Sequence, residues 1–255
     1  MSAATLTVRQ LRFVNRAFWR NPASAFFTFV LPLMFLVIFT ALLGDGDVQV
    51  GGRVITLSTY YVAVMTAFAV MTACFNNIAV ALTFQRDAGV LKRINGTPLP
   101  ASVFFGARVL HALLVSLLLV MITSTFGLLV YDAQIPTGAT LGRFLVMLAV
   151  GAASFCALGF AIAAVIPNAD AAPPIVNATI LPIQFLSGIF IPMGDDTPEW
   201  VTWTANVFPV KHFTDGIQAG YVGLPFDWTD VWVVGAWGLA GLLLAIRFFS
   251  WQPKA

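Results

Sequence analysis

Long uninterrupted apolar stretches constrain this chain more than any other feature of its sequence. A helix needs roughly 20 apolar residues to cross about 30 Å of hydrocarbon, and six stretches qualify. Hydrophobic residues make up 59% of the 255 residues and charged residues only 9%, whereas a soluble domain carries about 25% charged residues. The sequence therefore predicts an all-α membrane protein with six transmembrane spans in a single transmembrane domain. The predicted spans are residues 26–43, 57–84, 103–130, 144–166, 171–191 and 228–249.

The distribution of charge predicts which side of the membrane each loop occupies. Six spans place both termini on one side, and cytoplasmic loops collect Lys and Arg. With the termini in the cytoplasm, ten of the thirteen basic residues are cytoplasmic and most acidic residues are outside. The cytoplasmic cations are then Arg9, Arg12, Arg16, Arg20, Arg86, Lys92, Arg93, Arg108, Arg247 and Lys254. The outer acids are Asp45, Asp47, Asp132, Asp195, Asp196, Glu199, Asp215, Asp227 and Asp230.

A basic helix is predicted before the first span, in residues 6–22. Its arginines are spaced three, four and four residues apart, so they share one stripe of the helix, with apolar side chains roughly opposite. Such a helix lies in the membrane plane with its arginines toward anionic headgroups, and Pro22 ends it. The alternative is an ordinary positively charged flank. The stripe consists of Arg9, Arg12, Arg16 and Arg20.

The inner loop between the second and third spans, residues 85–102, is the main cytoplasmic loop. Its first part favours a short helix, which Gly96 and Pro98 then stop. A short charged helix held by two membrane helices could be a rigid contact point for a soluble partner. A solvated, positively charged turn is the alternative.

The longest outer segment, residues 192–227, is rich in aromatic residues rather than plainly hydrophilic. Interfacial aromatic side chains interrupted by Pro209 favour short re-entrant helices in the outer leaflet. An outer aromatic belt without further function would leave the same pattern. The segment thus predicts short helices between the fifth and sixth spans.

Several kinds of chemistry are excluded by the residue inventory. A phosphate-binding loop needs Gly-Lys followed by Ser or Thr, and none of the three lysines stands in that context. Two isolated histidines and one glutamate cannot build a His-Glu-x-x-His metal site. A net charge of +2 gives nucleic acid binding no electrostatic basis. We expect no catalytic residue, metal or cofactor in this chain, so that any ATP hydrolysis comes from another polypeptide.

The order of these segments resembles that of the type-2 ABC exporter permeases, over nearly the whole chain. The inner loop of that family usually reads as an acidic residue, arginine, glycine, a hydrophobic residue, a basic pair and then Thr-Pro-Leu. This chain has Gln-Arg-Asp-Ala-Gly-Val-Leu-Lys-Arg from residue 85 and Thr-Pro-Leu from residue 97. The basic helix and the run Leu-Ser-Gly-Ile-Phe-Ile-Pro at residues 186–192 match as well. Gln85 is a departure, because an acidic residue is common there.

The resemblance implies a multi-pass transporter subunit of the bacterial inner membrane that is not itself an enzyme. Two permeases, as copies or paralogues, would work with two cytoplasmic ABC ATPases that bind ATP and Mg²⁺, and would move an amphipathic drug or lipid-like cargo outward by alternating access. Membrane lipids are further partners. The implied ATPase-coupling residues are Arg9, Arg12, Arg16, Arg86, Asp87, Gly89, Leu91, Lys92, Arg93, Thr97 and Pro98. The implied substrate path, along spans two and five, contains Phe75, Asn76, Asn77, Asn177, Gln184 and Phe185.

Two other functions remain as alternatives. A self-sufficient secondary carrier or channel predicts inverted repeats and a titratable group near mid-membrane, and neither is evident in the sequence. A membrane-anchored scaffold without transport is the third possibility.

Overall fold

The computed structural model describes residues 3–44, 46–194 and 197–253, and it is mostly helical, as predicted. Asp45, Asp195, Asp196 and Lys254, which entered the charge argument, lie outside the described residues. The helices are α1 (Ala3–Trp19), α2 (Pro22–Leu43), α3 (Leu57–Met71), α4 (Asn77–Asp87), α5 (Val90–Asn95), α6 (Ala101–Tyr131), α7 (Ala139–Val165), α8 (Ala172–Leu186), α9 (Glu199–Val207), α10 (Pro209–Val222) and α11 (Trp228–Phe248). A π-helical turn, Thr72–Asn76, joins α3 to α4 without a break.

One antiparallel hairpin interrupts this helical architecture, which the all-α prediction did not include. Strand β1 (Asp47–Val50) pairs with β2 (Arg53–Thr56) through a two-residue loop. Both loop residues are glycines with positive φ, 55° for Gly51 and 78° for Gly52. That backbone is the hairpin turn whose twist matches paired strands, and Gly-Gly between alternating apolar residues is its sequence signal.

Six helical segments run between the two ends of the bundle, here named the hairpin end and the α5 end. Contacts fix the direction of each. The start of α3 lies beside the loop after α6, where the Gln134 amide donates to the Thr59 hydroxyl at 3.3 Å. At the opposite end, α7 finishes beside Arg86, and the ring of Phe249, just after α11, lies 5.1 Å from the ring of Phe105.

Five of these segments are long and apolar enough to cross a membrane, counting only the described residues. The predicted fifth span, residues 171–191, is not confirmed at its full length, because α8 has 15 residues and covers about 22 Å. The helix ends at Leu186, and Gly188 follows with φ of 77°. A glycine with positive φ just after a helix is the common stop signal. The chain continues toward the hairpin end, where the Tyr61 hydroxyl donates to the Phe190 carbonyl at 3.1 Å.

Helix α3 is the centre of the bundle. All fifteen of its residues are buried, and it contacts α2, α6, α7 and α10. Its Thr66 hydroxyl lies 2.9 Å from that of Thr123 and 3.1 Å from that of Tyr221. Ser124 completes the cluster, 2.6 Å from the Tyr221 hydroxyl. Buried hydroxyls are thus satisfied by one another, and α3, α6 and α10 are fixed together.

Helices α9 and α10 occupy the predicted outer segment, and α10 is held in the bundle rather than lying over it. Most of α10 is buried, and it packs against α3, α7 and α11. The His212 ring bridges two neighbours, with Nδ1 2.7 Å from an Asp230 carboxylate oxygen and Nε2 2.9 Å from the Asn206 carbonyl. The Asp230 carboxylate is the main reason that the pKa of His212 is raised.

Close packing of α7 on α11 depends on glycines of α11. A Cβ added to Gly238 would lie 2.3 Å from Ser154 Oγ and 2.8 Å from Ser154 Cα. A Cβ added to Gly235, one turn earlier, would meet only Val150 Cγ1 at 4.0 Å. Small residues allow membrane helices to approach this closely.

We predict that Gly238→Ala destabilises the fold by about 1–3 kcal/mol, because overpacking forces the two helices apart. The matched control is Gly235→Ala, which has room for its methyl group and should stay within about 0.5 kcal/mol of wild type. Thermal unfolding of the purified proteins in one detergent measures the difference. Equal melting temperatures for the two variants would contradict the packing described.

The His212–Asp230 pair predicts a pH dependence of stability. A histidine whose folded pKa is raised contributes stability that is complete below its unfolded pKa of about 6.5 and lost as pH rises through the folded pKa. Wild type should therefore lose more stability between pH 6 and pH 8.5 than His212→Gln, which keeps a hydrogen-bonding side chain without the charge. Lys211, Asp215 and Asp230 are the same in both proteins, so the comparison isolates His212. Parallel melting curves across this range would refute the role.

Candidate functional site

Two residues, Gly89 and the buried Leu91, position helix α5 at the end of α4. Gly89 precedes α5 with φ of 69°, a left-handed backbone that side chains disfavour. The turn lets α5 fold back, and Leu91 is then fully buried. At the far end, the Thr97 hydroxyl donates to the Ile94 carbonyl at 2.7 Å and closes the last turn. The predicted short helix in the inner loop is therefore present, packed on the bundle through Leu91 and capped at its end by Thr97.

Arg86 binds within the subunit instead of pointing out of it. Its side chain is 2% exposed, and the guanidinium donates to carbonyls at the end of α7. The distances are 2.9 Å to Ala163, 2.6 Å to Ile166 and 3.1 Å to Pro167. Ala163 is in the last turn of α7, where carbonyls lack helical partners, and Ile166 and Pro167 follow directly after the helix. Arg86 was expected to contact the ATPase, and its position suits a structural role that holds α4 to α7.

Asp87 extends the same connection by one residue. Its carboxylate accepts from the Ala169 amide at 2.5 Å, in the turn between α7 and α8. The other carboxylate oxygen lies 3.6 Å from Nε of Arg86. Both residues, predicted as coupling residues, thus tie the base of α5 to the end of α7 and the start of α8.

The remaining coupling residues of the loop are accessible. Lys92, Arg93, Thr97 and Pro98 are exposed on α5 and just after it. A groove with a volume of about 430 Å³ separates this helix from α1; we name it the α1–α5 groove. Its walls are formed by Gln10, Phe13, Val90, Arg93, Ile94, Thr97 and Leu99.

Helix α1 supplies the other face of this region. It begins at Ala3 and ends at Trp19, so it covers residues 6–19 of the predicted helix 6–22 and leaves Arg20 beyond its end. Arg9, Arg12 and Arg16 are all exposed. The apolar face packs on α6, where the ring of Phe18 meets the ring of His111 at 5.3 Å. Helices α1 and α5 therefore face one groove, whose walls include the predicted coupling residues Arg93 and Thr97 but none of the three α1 arginines.

The predicted substrate-path residues are only partly brought together. Asn76, at the end of the π-helical turn, donates through Nδ2 to Asn177 Oδ1 of α8 at 3.4 Å. The buried Oδ1 of Asn76 and Oε1 of Gln184 have no hydrogen-bond partner within the described chain. A buried polar atom left unpaired costs about 1–3 kcal/mol. π-Helical turns are frequent at functional sites, and this one places unpaired amide groups beside α8.

The other path residues point elsewhere. Phe75 is buried in the bundle at 5% exposure. Asn77 faces α2, where its Nδ2 donates to the Thr28 hydroxyl at 3.1 Å. Phe185 is exposed and its ring lies 4.4 Å from that of Phe190. Adjacent helix positions face different neighbours, so spacing on the sequence did not define a common surface.

A second cavity, which sequence reasoning missed, lies between α1, α4 and α6. It has a volume of about 500 Å³ and contains Arg108 and His111 in its wall. Arg108 is the only Asp, Glu, Lys or Arg in the predicted span 103–130. A single charged residue in an apolar span is a signal for a functional site. Arg108 is near the start of the span, however, so a position at the membrane interface explained it equally well.

Comparison with known proteins identifies the class. Residues 3–222 match the family model described as ABC-2 type transporter. This chain therefore belongs to the ABC-2 type transporter family and is a multi-pass membrane protein, as the resemblance predicted.

Individual relatives are distant but carry related names. "Putative transport permease ycf38" of Porphyra purpurea is 24% identical over 227 residues, 86% of this chain and 75% of its own length. "Putative transport permease YvfS" of Bacillus subtilis is 21% identical over 89% of both chains. "Probable multidrug ABC transporter permease YbhR" of Escherichia coli K12 is 24% identical over 67% of this chain and 45% of its own length. These relatives are consistent with a transport subunit that is not an enzyme.

We predict that Arg86→Met destabilises the protein by about 2–4 kcal/mol, because three carbonyls at the end of α7 lose a charged donor. The matched control is Arg93→Met on exposed α5, which should change stability by less than about 0.5 kcal/mol. Thermal unfolding in detergent measures both. If Arg86→Met and Arg93→Met have the same melting temperature, Arg86 does not stabilise the contact between α4 and α7.

Proposed function

We propose that this chain is the permease subunit of an ATP-driven exporter whose cytoplasmic ATPase docks on the α1–α5 groove. The observation that carries the proposal is the accessible basic and apolar surface of α1 and α5, with α1 packed on α6 and α5 packed on α4. A soluble partner needs such a surface, because a flexible loop would move by itself and would not pass the motion of the partner to the membrane helices. ATP and Mg²⁺ belong to the partner in this proposal.

The proposed topology has six spans in one transmembrane domain, with both termini in the cytoplasm of a bacterial inner membrane. The alternation of helix directions supports it, since α8 runs from the α5 end toward the hairpin end despite its 15 residues. Residues 187–191 complete that passage. The α5 end then faces the cytoplasm, in agreement with its basic residues, and α9 and α10 lie toward the outside.

The proposed mechanism is alternating access in a pair of permeases, as copies or paralogues, with two ATPases. ATP binding draws the ATPases together, and they push α5 and α1. Arg86 and Asp87 pass this motion to the ends of α4 and α7 through four hydrogen bonds. The inner side of the path closes and the outer side opens.

The proposed path runs along α4 and α8, where the unpaired amides of Asn76 and Gln184 lie. Phe185, the residue after the buried Gln184, is exposed on α8. Amides among aromatic side chains suit an amphipathic drug or a lipid-like cargo. The multidrug name of the Escherichia coli relative supports the former class.

We predict that Lys92→Glu with Arg93→Glu lowers ATPase co-purification and cargo-stimulated ATP hydrolysis by at least about tenfold, because opposite charge now faces the docking partner. Arg86 is left unchanged, since its loss would disturb the fold. The measurement is ATP hydrolysis by the complex purified in mild detergent from its native membrane.

The control is Arg247→Glu, an exposed residue in the last turn of α11 at the same end of the bundle. It should keep both co-purification and activity. A double variant that binds and stimulates the ATPase like wild type would contradict docking on α5. Transport by the purified chain alone would instead support a self-sufficient carrier.

A further inference from the structure

The cavity between α1, α4 and α6 contains a buried cation that no acidic residue neutralises. Arg108 is 6% exposed, and no described Asp or Glu forms an ion pair with it. Its Nη2 donates to the neutral amide oxygen of Gln85 at 2.5 Å, its guanidinium lies 4.2 Å from the centre of the Phe104 ring, and Nε has no hydrogen-bond partner. A charge buried at membrane depth without a counter-charge is costly. The site therefore favours an anion from outside the chain.

A second unpaired donor or acceptor lies in the same wall. His111, one turn after Arg108 on α6, is 8% exposed, and its Nε2 has no hydrogen-bond partner. Asn21, Ser24 and Asn77 add neutral polar groups to the lining. The polar groups thus converge on one cavity of about 500 Å³, which has room for a headgroup.

The rest of the lining is apolar. Phe13 and Phe18 come from α1, Ile78 and Leu82 from α4, and Val115 from α6. Among the described lining residues there is no Asp or Glu that could hold a cationic headgroup. The combination suits a ligand with an anionic head and hydrocarbon chains.

The depth of Arg108 agrees with such a ligand. Helix α6 has 31 residues and is about 46 Å long, so about 8 Å extends beyond a 30 Å hydrocarbon core at each end if the helix is centred. Arg108 is seven residues from the start of α6, which is about 10 Å along the axis. The guanidinium is then at the boundary where lipid phosphates and glycerol backbones lie.

We propose that this cavity binds the phosphate headgroup of an anionic membrane phospholipid, with Arg108 as its counter-ion and α1 covering its chains. The bound lipid neutralises the buried guanidinium and completes the packing of α1 against α6. The cavity shares only Phe13 with the α1–α5 groove, and its lining does not include Asn76 or Gln184. It depends on membrane residence alone and not on the direction or cargo of transport.

Native mass spectrometry of the purified full chain tests the proposal, with dioleoylphosphatidylglycerol as the probe and dioleoylphosphatidylcholine as the zwitterionic comparison. Wild type should bind the anionic lipid more tightly than the zwitterionic one. Arg108→Gln should weaken anionic lipid binding at least about tenfold, since a buried counter-charge is lost. Arg247→Gln removes an exposed arginine from the same end of the bundle and should bind like wild type.

Gln85→Glu is a second variant, which keeps Arg108 and adds a negative charge beside it. It tests whether the unpaired charge of Arg108 is what binds the lipid. An internal carboxylate would pair with the guanidinium and displace the anionic lipid, so binding should fall as it does in Arg108→Gln. Unchanged lipid binding in Gln85→Glu, or in a folded Arg108→Gln variant, would overturn the proposal. So would Arg108-dependent stabilisation by inorganic phosphate without any effect of lipid, because the ligand would then be a free anion.

Discussion

The hydrogen bonds of the Arg86 guanidinium are the contacts on which the α5 end of the bundle depends. A helix leaves its last carbonyls unpaired, and at the end of α7 Arg86 fills that need from the neighbouring α4. Asp87 does the same for a backbone amide in the following turn. Because α5 begins three residues after Asp87, directly after the left-handed Gly89, its position relative to the bundle follows from these bonds. The hydrogen bonds of Arg86 and Asp87 thus hold the start of α5 in a defined position on the bundle.

That arrangement divides the basic residues into two groups with different tasks. Lys92 and Arg93 are exposed and available to a partner, whereas Arg86 and Arg108 are buried. Two nitrogens of Arg86 donate to three carbonyls, and the Asp87 carboxylate lies 3.6 Å from its Nε, so its charge has a counter-charge inside the chain. Arg108 has only one neutral acceptor within the described chain, and its charge is the reason to expect a lipid beside α1. The α1–α5 groove, where we propose that the ATPase docks, and the cavity that we propose binds lipid both lie at the α5 end of the bundle.

Much of the architecture could be predicted from the sequence, since apolar length and charge asymmetry reflect the bilayer directly. The long spans, the basic helix and the short inner helix are examples. The end of α8 was missed because an apolar run continues past Gly188, and apolarity does not report a left-handed residue. The burial of Arg86 and the separation of Asn76 from Asn77 were missed for another reason. Both depend on which helix packs against which face, and that is set by contacts far apart in the chain.

The most direct test places a photo-crosslinking amino acid at Thr97, exposed in the wall of the α1–α5 groove. Cells are irradiated in their native state and the adducts of the chain are identified by mass spectrometry. The account predicts an adduct with a soluble protein that carries a Gly-x-x-x-x-Gly-Lys-Ser/Thr loop. Adducts with lipid or with the chain itself, and none with such an ATPase, would contradict it.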